Sequence, residues 1–269
     1  MNASYIVTSY VVIDDVLKGI GHVDDSRATI SSAEIVTVAV VAAKYFQNHH
    51  ERALCLLQQT GYLPKLSVSR FNRRLHALQE VLLLLVSLLG ELMMTGNVFI
   101  IDTLPVPVCK RVRAKRCCKV QGDAYGGYCA SKREYYWGWQ LHLVCDATGV
   151  PISFDLLPAR WDELTLVQAL LSPLPEGSVV VADKGYISDR DQQLSYIHGR
   201  VRLVPKQRRN MTGNTTEDAA LIRAHRPRIE TVNSQLEKMG LQRLHARTNP
   251  GFALKVLASL LALTFTNIV

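Results

Sequence analysis

The 269-residue chain contains no CxxC pair. Its six cysteines, Cys55, Cys109, Cys117, Cys118, Cys129 and Cys145, lack the spacing of a zinc clip or a disulfide framework. Cys117 and Cys118 are adjacent, which suits neither purpose. Reduced thiols of a cytosolic protein are the expectation. A long apolar run is also missing. The two most apolar stretches, 81–94 and 256–269, fall short of the ~18 residues a membrane span needs, and both contain polar residues. Buried helices are expected there. The opening "MNASYIVTSYVVIDDV" has no basic start before its apolar stretch and is interrupted early by acids, so it does not read as a signal peptide. Internal repeats and low-complexity segments are absent.

Hydrophobic residues make up 48% of the chain, enough for one large core or two unequal ones. Charged residues make up 20%, which argues against global disorder. The formal charge of +8 favours a polyanionic partner, with nucleic acid ahead of a membrane surface.

Two regions follow from the periodicity. Residues 1–95 form the N-terminal region, helical throughout from residue 29, and 96–269 turn to strands and helices. In the first, "TISSAEIVTVAVVAAKYFQ" predicts a helix with Ser31 and Glu34 at capping-box spacing. A short helix near 51–60 ends at Gly61 and Pro64. A long helix is expected from "SVSRFNRRLHALQEVLLLLVSLLGELMM", with Arg70, Arg73 and Arg74 in its first turns. Short helices followed by a basic helix start suit a helix-turn-helix DNA reader, or a plain bundle with a solvated basic face.

In the second region "NVFIIDTLPVPV" predicts a strand that its prolines end. A hairpin turns around Ala147-Thr148-Gly149. "DELTLVQALLSPL" predicts a helix capped by Asp162, "SVVVADKGY" a strand, "SDRDQQLSYIHG" a helix and "RVRLVPKQ" a strand. "RPRIETVNSQLEKMG" predicts a helix with Pro227 in its first turn, and a closing helix follows. This order describes an α/β mixed sheet flanked by helices.

Two of these strands end in an aspartate. "FIID" carries Asp102 and "VVAD" carries Asp183. Each is a turn-former or a chemical group. If the strands are neighbours the carboxylates approach, and they repel unless they share a proton or a cation. A hard divalent cation suits them. Glu230 is the best third acid, four residues after Arg226 and so on the same helical face. It could equally be a solvent-facing partner of an arginine. Asp155, Asp162, Glu163 and Glu237 compete, with Asp162 and Glu163 reading as caps. The chemistry three such acids suit is two-metal phosphodiester cleavage, with Arg226 and Lys184 available to hold phosphate.

Cationic segments flank the acids. "CKRVRAKRCCK" packs Lys110, Arg111, Arg113, Lys115, Arg116 and Lys119 just after Asp102, and Lys206, Arg208 and Arg209 precede Glu230. Tyrosines and Trp137 and Trp139 follow the first segment; they suit stacking on unpaired bases or packing on a strand face. His142, His198 and His245 lack metal-ligand spacing and are expected as hydrogen-bonded strand or turn residues.

With these residues the chain resembles the DDE transposases of bacterial insertion sequences, and among them the insertion-sequence 982 family. The resemblance rests on "SAEIVTVAVV", "FNRRLHAL", "IDTLPVPVC", "GYCASKREYYWGWQLHLV", "PISFDLLPA", "VVADKGY", "RIETVNSQL" and "RLHARTNPGFALKV", in the family's order. It implies a ribonuclease-H-like catalytic domain over 96–269, with a helix-turn-helix-like DNA-binding region over 1–95. Asp102, Asp183 and Glu230 are implied as the catalytic triad holding two Mg²⁺ or Mn²⁺ ions. Double-stranded DNA is the implied partner, as terminal inverted repeats and as target. Hydrolysis at element ends is followed by attack of the 3′-hydroxyl on target DNA, in at least a dimer on paired ends. The expected location is the bacterial cytoplasm, at the nucleoid. Of the family's tyrosine–arginine–glutamate–lysine signature, Arg226 and Glu230 match, Arg223 stands at the tyrosine position and Glu237 at the lysine position, beside Lys238. A non-catalytic transposase-derived DNA-binding protein and a nuclease that does not join strands are the alternatives.

Overall fold

A computed structural model describes residues 2–130 and 132–268. In chain order the helices are α1 (Ala3–Gly19), α2 (Ser32–Phe46), α3 (His50–Gln59), α4 (Val68–Ala77), α5 (Gln79–Met93), α6 (Val167–Leu171), α7 (Asp189–Gly199), α8 (Thr216–Lys238) and α9 (Asn249–Thr266). The strands are β1 (Val98–Lys110), β2 (Gly126–Cys129), β3 (Glu134–Asp146), β4 (Pro151–Pro158), β5 (Val179–Ala182) and β6 (Arg202–Pro205). The chain forms two compact units. One holds the residues up to Leu89 together with those from Gln235 onward; the other is Gly90–Ser234. The C-terminal segment, expected with the sheet, therefore packs with the N-terminal helices.

In the helical unit α2 is central. The capping box forms as expected: Ser31 Oγ accepts from Glu34 N at 3.1 Å, and Glu34 accepts from Ser31 N at 2.6 Å. The residues from Ile35 to Ala43 are all buried, with α1, α3, α4 and α9 around them. The N-terminal stretch is a helix in its own right, started by Asn2 accepting from Ser4 N at 3.0 Å. Its Tyr5 hydroxyl donates to the Ala262 carbonyl of α9 at 2.9 Å. The long helix expected after residue 67 is two, α4 and α5, bent by 62°. No glycine or proline marks the bend at Leu78. Leu75, Leu78 and Leu82 are all buried, so packing turns the chain. The closing helix α9 is also longer than the apolar stretch at 256–269. Its 18 residues are long and apolar enough to cross a membrane, yet most of it is buried within the protein, as a core helix is.

Buried Asn48 ties this unit together. Its Nδ2 donates to the Met239 carbonyl and to Ser259 Oγ, each at 2.9 Å. Asn48→Ala leaves that buried carbonyl without its donor, and we expect it to destabilise the protein by about 2 kcal/mol, read as a lowered urea midpoint. Asn48→Asp, which keeps the shape but not the donor, is expected to do the same.

The second unit is built on a six-stranded mixed sheet. β3 pairs antiparallel with β1 on one edge and with β2 and then β4 on the other; β1 pairs parallel with β5, and β5 parallel with β6. The order β4–β3–β1–β5–β6, three antiparallel strands then two parallel ones, is a ribonuclease-H-like sheet flanked by helices. One face carries Phe99, Ile101, Val144, Val180 and Leu203 against Val167, Leu170 and Leu171 of α6. The hairpin turns where expected. Buried Asp146 accepts from Thr148 N and Val150 N, both at 2.9 Å, and Gly149 takes φ +92°.

Two expectations about element ends need correction. β1 does not stop at its prolines; it continues through Pro105 and Pro107 to Lys110 along β3. β5 accompanies it only as far as Ile101, so beyond that point β1 has an open edge on which a missing N–H loses no ladder bond. Helix α8 does not start at Pro227 but at Thr216, where Thr215 Oγ1 accepts from Asp218 N at 3.1 Å. Glu230 therefore sits in the interior of a 23-residue helix and gains nothing from a helix N-terminus.

Candidate active site

The parallel register of β1 and β5 places the two aspartates. Val98 pairs with Val179, and the ladder ends with Ile101 opposite Ala182. Asp102 and Asp183 are the next residue on each chain segment: Asp183 follows the end of β5, and Asp102 lies where the parallel ladder stops while β1 runs on along β3. Adjacent strands lie about 4.8 Å apart, and the crevice beyond such ends is where open α/β sheets bind ligands.

Helix α8 addresses both acids from one face. Arg226 Nη1 donates to Asp183 Oδ1 at 2.7 Å, and Asn233 Nδ2 donates to Asp102 Oδ2 at 2.9 Å. Glu230 lies between these two contacts in sequence and shares their helical face. Its Oε1 accepts from Arg226 Nε at 3.5 Å, and its side chain is 66% exposed. Ile229, Val232 and Leu236, buried on the neighbouring face, fix the rotation of the helix. Arg226, expected to be free for phosphate, is thus engaged by Asp183 and Glu230.

A fourth acid belongs here. Glu163 was expected as a helix cap, yet Asp162 does the capping, accepting from Leu164 N at 3.4 Å. Glu163 Oε1 instead accepts from Thr103 Oγ1 at 3.1 Å. Its Oε2 fills the space a Cβ on Gly185 would need. It therefore lies against both strand ends, one residue past Asp102 and two past Asp183. Buried Tyr186 and His142 stand nearby. Neither the Tyr186 hydroxyl nor either ring nitrogen of His142 has a hydrogen-bond partner among the described residues. His142 is thus not the hydrogen-bonded strand residue that was expected. Asn233 could have been suspected from its spacing to Arg226 and Glu230; nothing local in the sequence points to Glu163.

The acids titrate differently. Burial pushes Asp102 up to about 6, helped by the charges of Glu163 and Asp183 and opposed by a backbone hydrogen bond from Thr103 and by Arg226. Burial also raises Glu163, with Asp183 and Asp162 adding to it against the Thr103 hydrogen bond. At Asp183 burial acts upward too. The Arg226 hydrogen bond, the Lys184 backbone N–H and the charges of Arg226 and Lys184 together outweigh it and hold this carboxyl below its ordinary value.

Oxygen donors of this kind fit a hard divalent cation. Asp102 and Glu163, raised chiefly by burial and then by neighbouring carboxylates, would ionise more readily beside a cation, and Asp102 and Asp183 stand side by side to share one. Among the described residues, however, no three acidic, histidine or cysteine groups are gathered as one metal cage. Arg226 bridges Asp183 and Glu230, because close carboxylates require a positive charge between them.

The expected DNA-contacting residues fall into three places. Arg70 and Arg73 are exposed on α4. Arg74 is not available in the same way: it donates to the Ile30 carbonyl and pairs with Asp24 at 3.2 Å, holding helices together. Arg111, Arg113, Lys115 and Arg116 are exposed on a 3₁₀ segment, Arg111–Arg116. Lys110 pairs with Glu134 at 3.2 Å on the surface. Exposed Lys184 follows Asp183, and Lys206, Arg208 and Arg209 are exposed past β6. Lys206 joins Arg223, Arg226 and Glu230 around a cleft of about 380 Å³. Trp137 and Trp139 pack rather than stack outward: Tyr125 meets Trp139 edge-on at 4.9 Å, and Trp137 Nε1 donates to the Val120 carbonyl at 3.2 Å. The exposed aromatic pair is Tyr128 and Tyr135, with centroids 4.7 Å apart and Arg111 5.4 Å from the Tyr135 ring.

Fold and site together define a ribonuclease-H-like protein with acids at its central strand ends. A family model described as the transposase DDE domain matches residues 94–265, and the chain belongs to that family of transposases, whose partner is DNA. No curated protein and no solved structure matches the chain.

Proposed function

We propose that the chain is a DDE transposase of the insertion-sequence 982 type, cutting DNA at element ends and joining the freed 3′-hydroxyl to target DNA. The observation that carries this is the β1–β5 register, which sets Asp102 beside Asp183 under the α8 face bearing Arg226, Glu230 and Asn233. Asp102 and Asp183, with Glu230 as the third ligand, would hold two divalent cations, Mg²⁺ or Mn²⁺. Such ions lower the pKa of an attacking water or hydroxyl and stabilise the leaving oxygen.

The chain's own groups supply the rest. Asn233 orients the Asp102 carboxylate through its Nδ2–H. With their negative charge shared by cations, Asp183 and Glu230 would leave Arg226 free to clamp a phosphate with its planar fork. Lys184 and Lys206 add point charges along the strand entering the cleft. Arg111, Arg113, Lys115 and Arg116 hold the flanking backbone, and the Tyr128–Tyr135 pair offers an exposed face to an unpaired terminal base. Arg70 and Arg73 of α4, in a helix-turn-helix-like N-terminal region, bind the inverted repeat. Two copies hold the paired ends, and the enzyme works in the cytoplasm at the nucleoid.

The test is cleavage of a duplex carrying the flanking inverted repeats, with Mg²⁺ or Mn²⁺ and with chelator. Cation-dependent nicking at the repeat end, followed by joined products on a second duplex, is expected. End binding without nicking would instead identify a non-catalytic DNA-binding protein. Nicking without joined products would identify a nuclease.

A further inference from the structure

The helical unit carries a second cationic site, lined by none of the candidate catalytic acids. A groove of about 1310 Å³ opens between α3 and α4 on one side and residues 240–255 on the other. Arg52 and Arg73 line the first wall, Arg243 and Arg247 the second, and Glu51 is the one acidic residue that lines it. All four arginines are exposed, and none forms an ion pair with a described residue.

The walls are fixed to each other. Lys255 Nζ donates to the Asn48 carbonyl at 2.8 Å and to the His245 carbonyl at 3.0 Å, so one ammonium pins a residue of each wall. On the first wall, α3 begins at His50 with no side-chain cap, and His49, His50 and Glu51 at this helix start line the groove. Four exposed guanidinium groups around one groove outnumber its single carboxylate, Glu51, and a chain of phosphates supplies the missing negative charge. A single small anion would satisfy one or two of them; a polyanion satisfies both walls at once.

We propose that this groove is a DNA-backbone site in which Arg52 and Arg73 from one wall and Arg243 and Arg247 from the other contact successive phosphates. The proposal rests on DNA being the substrate but not on the carboxylate site. It gives residues 240–255, just past α8, a role in gripping DNA. Because the contacts go to phosphate, binding here is independent of base sequence.

Fluorescence anisotropy of the full chain with a labelled 30-bp mixed-sequence duplex, across a NaCl series, tests this. Each of Arg52→Ala, Arg243→Ala and Arg247→Ala is expected to weaken binding about five- to tenfold near ~100 mM salt and to lower the log–log salt slope by about one. Lys65→Ala, an exposed cation outside the groove, is expected to change neither. Arg243→Lys and Arg247→Lys, which keep the charge, should retain most of the slope. Wild-type affinity and slope in the Arg243→Ala/Arg247→Ala double variant would overturn the groove alone. Equal losses from Lys65→Ala would overturn it as well, by showing a diffuse charge effect. No binding by the wild-type chain would remove both the groove and the transposase function proposed above.

Discussion

Asp183→Asn and Asp102→Asn are each expected to reduce Mg²⁺-dependent cleavage by a factor on the order of 10³ or more, with binding to the repeat duplex unchanged. Each substitution keeps the side chain's size and removes the charge that a divalent cation needs. The two variants should differ in stability, however, because the acids sit in different fields. Asp183 is paired with Arg226 at 2.7 Å and is held below its ordinary value. Neutralising it discards a stabilising pair. Asp102 is pushed up to about 6, chiefly by burial and then by Glu163 and Asp183.

The sign for Asp102 follows from linkage. An acid with a raised folded pKa weakens the fold once it ionises. That penalty is absent below the ordinary value, grows as pH rises toward 6, and is complete above it. Its full size is on the order of 3 kcal/mol. In chelator-treated protein, Asp102→Asn should therefore gain stability over wild type on going from pH 4.5 to pH 8. Asp183→Asn should instead be less stable than wild type by about the same amount at both pH values, because a carboxyl held below its ordinary value is ionised throughout that interval. Unfolding midpoints of the three proteins at the two pH values decide this. Glu230→Gln is expected to abolish cleavage with little change in midpoint, since its side chain is 66% exposed. If it cuts at the wild-type rate, Glu230 is not the third ligand, and Glu163, already against both strand ends, becomes the acid to test.

Gly138→Ala should be the most damaging single methyl in the sheet unit. A Cβ at Gly138 would lie 2.5 Å from the Val106 carbonyl oxygen, 2.7 Å from Val108 N and 3.0 Å from Pro107 Cα. All three are backbone atoms of β1, opposite Gly138 where the ladder register shifts after Pro107. No rotamer change relieves the contact; β1 and β3 must separate. Overpacking of this kind destabilises by about 3 kcal/mol, and these two strands form the longest ladder in the sheet. A lowered urea midpoint with reduced cleavage is expected. Gly213→Ala, with nothing within 4 Å of its Cβ, should stay within about 0.5 kcal/mol of wild type. Equal midpoints for the two variants would show that β1 can bend away without loss.

Much of the fold was legible because its cues are local. The Ser31–Glu34 capping box starts α2, the 147–149 turn joins β3 to β4, and apolar runs mark β1 and β5, each ending in its aspartate. Where local cues compete with packing, the expectation failed. Pro105 and Pro107 looked like a strand end and lie within β1; Pro227 looked like a helix start and lies within α8. In both places the partner strand or neighbouring turns tolerate the missing N–H. Leu78 breaks a helix with no breaker residue because the leucines around it are buried.

The candidate site divides along the same line. The sequence by itself determined which acids exist, that two of them follow apolar strand residues, that Glu230 shares a helical face with Arg226, and that cations flank them. Only the tertiary structure decided that β1 and β5 are parallel neighbours in a register that makes Asp102 and Asp183 adjacent. It alone set Arg226 between Asp183 and Glu230, brought Glu163 against Thr103 and Gly185, and packed the C-terminal helix with the N-terminal ones. Local patterns arise from residues a few positions apart, whose backbone and side-chain preferences act directly on one another. Pairings between distant segments depend on which buried faces fit together, and that is settled by packing the whole chain at once.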